Sequence, residues 1–125
     1  MEGIEGQIFF FDTYAFFEII RGNPKYAPYK GVVAITTIFN LTELNYGLKK
    51  ETDEKTADEI TQEYESFLVE VTLDDVKKAM TLRRKHKDLS IPDAIGYIVA
   101  KRYDAKFLTG DDDFKDFPNI EFVKK

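Results

Sequence analysis

The chain has 125 residues, 43% hydrophobic and 33% charged, enough for one domain with a sizeable core and without low-complexity sequence. Its net charge of −5 argues against tight, sequence-independent binding of a nucleic-acid duplex, unless the acids are gathered in one place and neutralised by cations. The absence of cysteine excludes disulfides and thiolate metal sites, and no apolar run approaches the roughly 18 residues of a membrane span.

The N-terminal "MEGIEGQ" is acidic and lacks the pattern of a secretory signal, so a cytoplasmic protein is expected, with no membrane partner. The apolar run 8–11 (IFFF) then predicts a first strand, and 13–22 a helix. A strand over 32–35 (VVAI) leads into a helix over 37–50. A helix over 53–67 leads into a strand over 67–71 (FLVEV). Helices over 73–88 and 91–104 follow, then strands over 106–108 (KFL) and 120–123 (IEFV). Three of these strands are almost continuously apolar, as in parallel strands covered on both faces. The alternation predicts a three-layer α/β domain over residues 1–125, with no repeat and no linker to divide it.

In open parallel sheets, sites form beyond the C-terminal ends of the strands. Asp12-Thr13 follows the first predicted strand, and Thr36-Thr37 after the second opens the helix that carries Glu43. Thr109-Gly110-Asp111-Asp112-Asp113 follows "KFL". Each acid also has a plain structural explanation. Asp12 suits a helix N-cap. Glu43 shares a narrow polar stripe with Asn40 and Gly47, flanked by Phe39 and Tyr46, and suits a solvated helix face. Asp93 stands three residues after Ser90, the spacing of a capping box, with Pro92 in the first turn. A turn or cap accounts for one of Asp111, Asp112 and Asp113, and at most two of them can face one site.

Four acids from four segments change the balance. If the sheet brings Asp12, Glu43, Asp93 and Asp111 within about 6 Å of one another, each pair repels by about 3 kcal/mol at an effective dielectric near 20. A small domain sustains that only by protonation or by binding cations. Oxygen-only ligands of high charge select Mg²⁺ or Mn²⁺, and such ions serve phosphodiester hydrolysis.

These residues resemble the PIN-domain ribonucleases, in particular the VapC-type toxins of prokaryotic toxin–antitoxin pairs. The resemblance covers nearly the whole chain. It rests on "IFFFDTYAF", on "NLTELNYGL", on "LSIPDAIGYIVAKRYDAKFLTGDDDF", which is the most specific, and on the closing "IEFVKK". It implies a PIN-like α/β/α fold with a central, mostly parallel sheet. It also implies Asp12, Glu43, Asp93 and Asp111 as catalytic, metal-binding acids, with Asp113 as an additional ligand and Thr13 and Thr109 as supporting hydroxyls. Asp112 departs from the family pattern, where its place is often basic or polar. An Mg²⁺- or Mn²⁺-dependent endoribonuclease acting on RNA, dimeric and silenced by an antitoxin protein, is the implied whole.

The basic run "KKAMTLRRKHK" places Lys77, Arg84 and Lys87 roughly together on a helix, with Arg83 and His86 adjacent. It suits either a solvated helix end or an RNA-steering edge of Arg83, Arg84 and Lys87. Tyr26 and Tyr29 suit core packing or a partner surface. Two other readings stay open: a PIN-like module that binds RNA or protein without cleaving, and a signalling receiver domain. The receiver needs an acid pair after its first strand and a phosphoacceptor after a central one, and "FLVEVTLDD" supplies only a loose imitation.

Overall fold

The structure, a computed structural model, describes residues 6–125, so most of the acidic N-terminal stretch lies outside the described residues. Strand β1 (Ile8–Phe11) is followed by helix α1 (Thr13–Ile20), a 3₁₀ segment (Pro24–Tyr29), β2 (Val33–Ile35) and α2 (Ile38–Glu51). Helices α3 (Glu54–Gln62), α4 (Leu73–Lys85) and α5 (Ile91–Arg102) precede β3 (Lys106–Thr109) and β4 (Ile120–Phe122). The sheet runs β2-β1-β3-β4 with every pairing parallel, Phe10 standing opposite Ile35 on one side and Phe107 on the other.

Side chains alternate across a strand, and this divides the core in two. Phe9, Phe11 and Leu108 point to one face, against Phe16 of α1, Leu41, Leu44 and Leu48 of α2 and Ala57 of α3. Phe10 and Phe107 point to the other and pack with Ala79 of α4 and Ile95, Val99 and Ala100 of α5. Three layers result, as expected from the sequence. Only the central strands β1 and β3 are buried along most of their length, whereas Val33 on the edge strand β2 is 62% exposed.

The strand expected over residues 67–71 does not form. A 3₁₀ turn (Glu65–Phe67) ends at a single parallel bridge between Thr36 and Leu68, and Thr72 then caps α4. The run is apolar because Phe67 packs its ring against Phe11, Phe16 and Tyr64, which is core packing without a ladder. The strand that a receiver domain would need for its phosphoacceptor is therefore missing from this sheet. Helix α4 also ends at Lys85, three residues short of the expectation, so Lys87 lies in the following turn and shares no helix face with Lys77 and Arg84.

The strand order fixes where a site can form. From β1 the chain crosses to β2 on one side, and from β3 it crosses to β4 on the other. The two connections diverge and leave a crevice between the C-terminal ends of β1 and β3, the switch point at which α/β sheets bind ligands.

Candidate active site

Asp12 and Asp111 flank that crevice because they follow β1 and β3. Asp12 is the N-cap of α1, accepting a hydrogen bond from the Ala15 backbone N–H at 2.8 Å, and is only 2% exposed. Asp111 caps the 3₁₀ turn Asp112–Phe114, accepting from the Asp113 N–H at 2.9 Å, while its own N–H donates to the Thr109 hydroxyl at 3.0 Å. Gly110 between them has no room for a side chain, since a Cβ there would collide with the Tyr14 ring and the Val123 carbonyl. That close approach holds the Thr109–Asp111 turn down on the end of β4.

Asp93 is carried in on α5. Its N–H donates to Ser90 Oγ at 3.1 Å and its Oδ2 accepts from the Ser90 N–H at 3.1 Å, the expected capping box. One turn on, Gly96 rests on the Phe10 ring, where a Cβ would stand 2.8 Å from the ring edge. The bare glycine lets α5 lie close to β1, which brings Asp93 over the strand end. Glu43 comes from α2, and its Oε1 accepts a hydrogen bond from the Thr13 hydroxyl at 2.8 Å. Asp12, Thr13, Glu43, Asp93 and Asp111 thus line one cleft of about 480 Å³, together with Tyr14, Phe17, Tyr46, Lys50 and Ser90.

Electrostatics follow from the crowding. Burial pushes the Asp12 carboxyl up to about 8, with Asp93 and Asp111 adding to the rise and the Thr109 hydroxyl and Ala15 N–H opposing it. Burial, assisted by Glu43 and Asp111 and opposed by Ser90, lifts Asp93 to about 6. Two neighbouring carboxyls raised this far mark a site that favours an added positive charge.

The donors fit a hard divalent cation. Glu43, Asp93 and Asp111 each commit one oxygen to a local hydrogen bond, and their second oxygens accept none from the described residues. The Thr109 hydroxyl lies by Asp12. As the side chains lie, no three His, Cys, Asp or Glu among the described residues are gathered tightly enough to hold an ion. The backbone converges the four carboxyls on the cleft, and closing on an ion would take side-chain rotation.

The remaining candidates stand apart. Asp113 is exposed and outside the cleft lining, its carboxyl raised by desolvation and by Asp111 and Asp88. Asp112 is exposed and bound to Lys124 Nζ at 2.6 Å, so its charge is answered locally. Arg83, Arg84 and Lys87 are all exposed, and Arg83 alone of the three is tied to the backbone, its Nε donating to the Leu89 carbonyl at 2.9 Å. Tyr26 is buried with its hydroxyl donating to the Val123 carbonyl, and Tyr29 donates to Glu121, so both belong to the core. Sequence reasoning missed Asn40, fully buried beneath the site, where its carbonyl oxygen accepts from Thr37 and its backbone carbonyl from Thr13. Its place on the stripe with Glu43 hints that it belongs to the site, but nothing local marks it as buried.

Among solved structures, the chain is similar to a toxin–antitoxin complex from Klebsiella pneumoniae, with 19% identity, a TM-score of 0.74, and 94% of this chain and 99% of that one covered. VapBC2 of Rickettsia felis, bound to a fragment of its promoter DNA, aligns at 18% identity and a TM-score of 0.71, covering 94% and 98%. The sarcin–ricin-loop-cleaving toxin VapC20 of Mycobacterium tuberculosis aligns at 21% identity and a TM-score of 0.73, covering 95% and 100%. At these identities the likeness is one of fold. No curated protein matches the sequence. The PIN domain model matches residues 9–120, a span that runs from β1 to β4 and contains every acid of the cleft, and the chain belongs to the PIN domain family.

Proposed function

We propose that this protein is a metal-dependent endoribonuclease of the VapC type, the toxin of a toxin–antitoxin pair. The observation that carries the reading is the convergence of Asp12, Glu43, Asp93 and Asp111 on one cleft at the switch point, with the carboxyls of Asp12 and Asp93 pushed up by burial and by neighbouring acids of the cleft. Mg²⁺ or Mn²⁺ bound there would supply a water of lowered pKa and positive charge against the scissile phosphate. Asp12, Glu43, Asp93 and Asp111 would hold it.

The protein's own groups supply the rest. Thr13 fixes the Glu43 carboxylate through its 2.8 Å hydrogen bond, and Ser90 fixes that of Asp93. The Thr109 hydroxyl sets the Asp111 turn. Burial of Asp12 keeps water from screening its charge. Asp113, outside the cleft, is assigned support of Asp111 through its backbone N–H, and ligation only after a rotation of the turn.

The toxin–antitoxin complexes of like fold support an antitoxin protein as partner, and an exposed apolar surface that includes Ile38, Phe39 and Leu73 suits either the antitoxin or a second copy in a homodimer. A cytoplasmic site of action is part of the same reading, and no helix among the described residues is long and apolar enough to cross a membrane. The test is cleavage of single-stranded RNA, expected with Mg²⁺ or Mn²⁺ and abolished by EDTA. Equal cleavage by Asp12→Asn protein would refute the assignment.

A further inference from the structure

Three residues of α2 besides Glu43 line the cleft: Tyr46, Gly47 and Lys50. Residues three, four and seven positions on from Glu43 lie along the same helical stripe, so the acid, the ring and the cation form a line about 10 Å long at 1.5 Å rise per residue. Tyr46 is 66% exposed although it is aromatic and borders a buried acid cluster. Its ring carries Lys50 Nζ at 4.6 Å from the centroid. Lys50 has no carboxylate within ion-pair distance among the described residues, whereas its neighbour Lys49 is bound to Asp58 at 3.0 Å. Gly47 lets the Phe17 ring pack directly against α2 between them, since a Cβ at that place would strike it.

An exposed ring beside an unpaired cation, on a path that leads away from the acids, has the chemistry of a single-strand binding step. Every nucleobase has a face that stacks on an aromatic ring, and a lysine serves the adjacent phosphate. It also resolves the difficulty of a chain of net charge −5 meeting a polyanion, because Lys50 lies in the cleft itself. We propose that Tyr46 and Lys50 form a nucleotide subsite that stacks one base of single-stranded RNA next to the scissile phosphate and neutralises one backbone phosphate. The inference rests on the nuclease reading and adds to it the part of the cleft that grips the strand.

The test is fluorescence anisotropy with a 5′-labelled single-stranded decaribonucleotide, in millimolar Ca²⁺ as an oxygen-seeking stand-in at the carboxylates. Tyr46→Ala is expected to weaken binding at least fivefold, the low end of stacking on one base, and Tyr46→Phe to stay within twofold of wild type. Lys50→Met is expected to weaken binding and to flatten the slope of log K against log salt by about 0.7, the value for one phosphate on a single strand. Steady-state cleavage should show the same loss in KM, with kcat changed less. Tyr46→Ala protein that binds as wild type does, or whose only change is in oligomeric state by light scattering, overturns the subsite and makes the ring a protein contact. The nuclease reading fails separately, if wild-type protein with Mg²⁺ or Mn²⁺ leaves RNA intact.

Discussion

Asp12 is the residue on which the site's energetics turn. Its carboxyl is held up to about 8, against an ordinary value near 3.9 in an unfolded chain. A raised acid binds more protons in the folded state than in the unfolded one, so its stabilising effect is full below about 4 and is lost as pH rises through about 8. In EDTA the melting temperature should therefore fall from pH 5 to pH 8, and Asp12→Asn should remove much of that slope while raising stability at pH 8. A slope unchanged by Asp12→Asn would mean that this carboxyl is not the buried acid described here. The places of Asp12, Asp93 and Asp111 were legible in the sequence, because an acid after an apolar strand, or in a capping box, carries its address in its neighbours, whereas Glu43 in the middle of α2 reads equally well as a solvated helix face. Asn40 was not legible as a buried residue. Its burial comes from α5 lying across it at Gly96, a contact between segments more than 50 residues apart that no local pattern reports.

At the scale of elements, two features hold the acid-bearing segments in place, and each gives a test. Asp75, buried at the start of α4, would be raised by desolvation, but Arg102 at the end of α5 and the Thr72 cap outweigh that and keep it below the usual carboxylate range. Arg102 Nη2 lies 2.8 Å from Asp75 Oδ2 and also donates to the Glu70 carbonyl, so it ties α4, α5 and the segment before α4 together. Arg102→Ala should cost about 2 kcal/mol in urea denaturation, less than for a fully buried pair because the arginine is 39% exposed. Gly110→Ala should lower both the melting temperature and RNA cleavage, since the Val123 backbone carbonyl has no rotamer with which to give way. Unchanged cleavage in that variant would show that the Thr109–Asp111 turn tolerates displacement. The strand misjudged at 67–71 belongs to this scale as well. Apolar composition reports burial, and only the neighbouring strand's length decides whether burial becomes a ladder. With β2 ending at Ile35, one bridge at Thr36 is all that the segment gains.

The molecule as a whole is a parallel sheet whose connections part between β1 and β3, with the acids on the parted edge. That architecture was readable from strands alternating with helices. The sheet order was not, because order is set by which connections cross, and composition is silent on that. Divalent metal should stabilise the folded protein by mass action, so millimolar Mn²⁺ should raise the melting temperature and Asp93→Asn should reduce the shift. A shift of equal size in the variant would place the ion elsewhere. The most direct measurement compares cleavage of one single-stranded RNA by wild-type protein with Mn²⁺, by wild-type protein with EDTA, and by Asp93→Asn protein with Mn²⁺. Cleavage in the first reaction alone is the expected result. Cleavage by the variant at the wild-type rate, or undiminished by EDTA, would contradict a metal-dependent nuclease built on these four carboxyls.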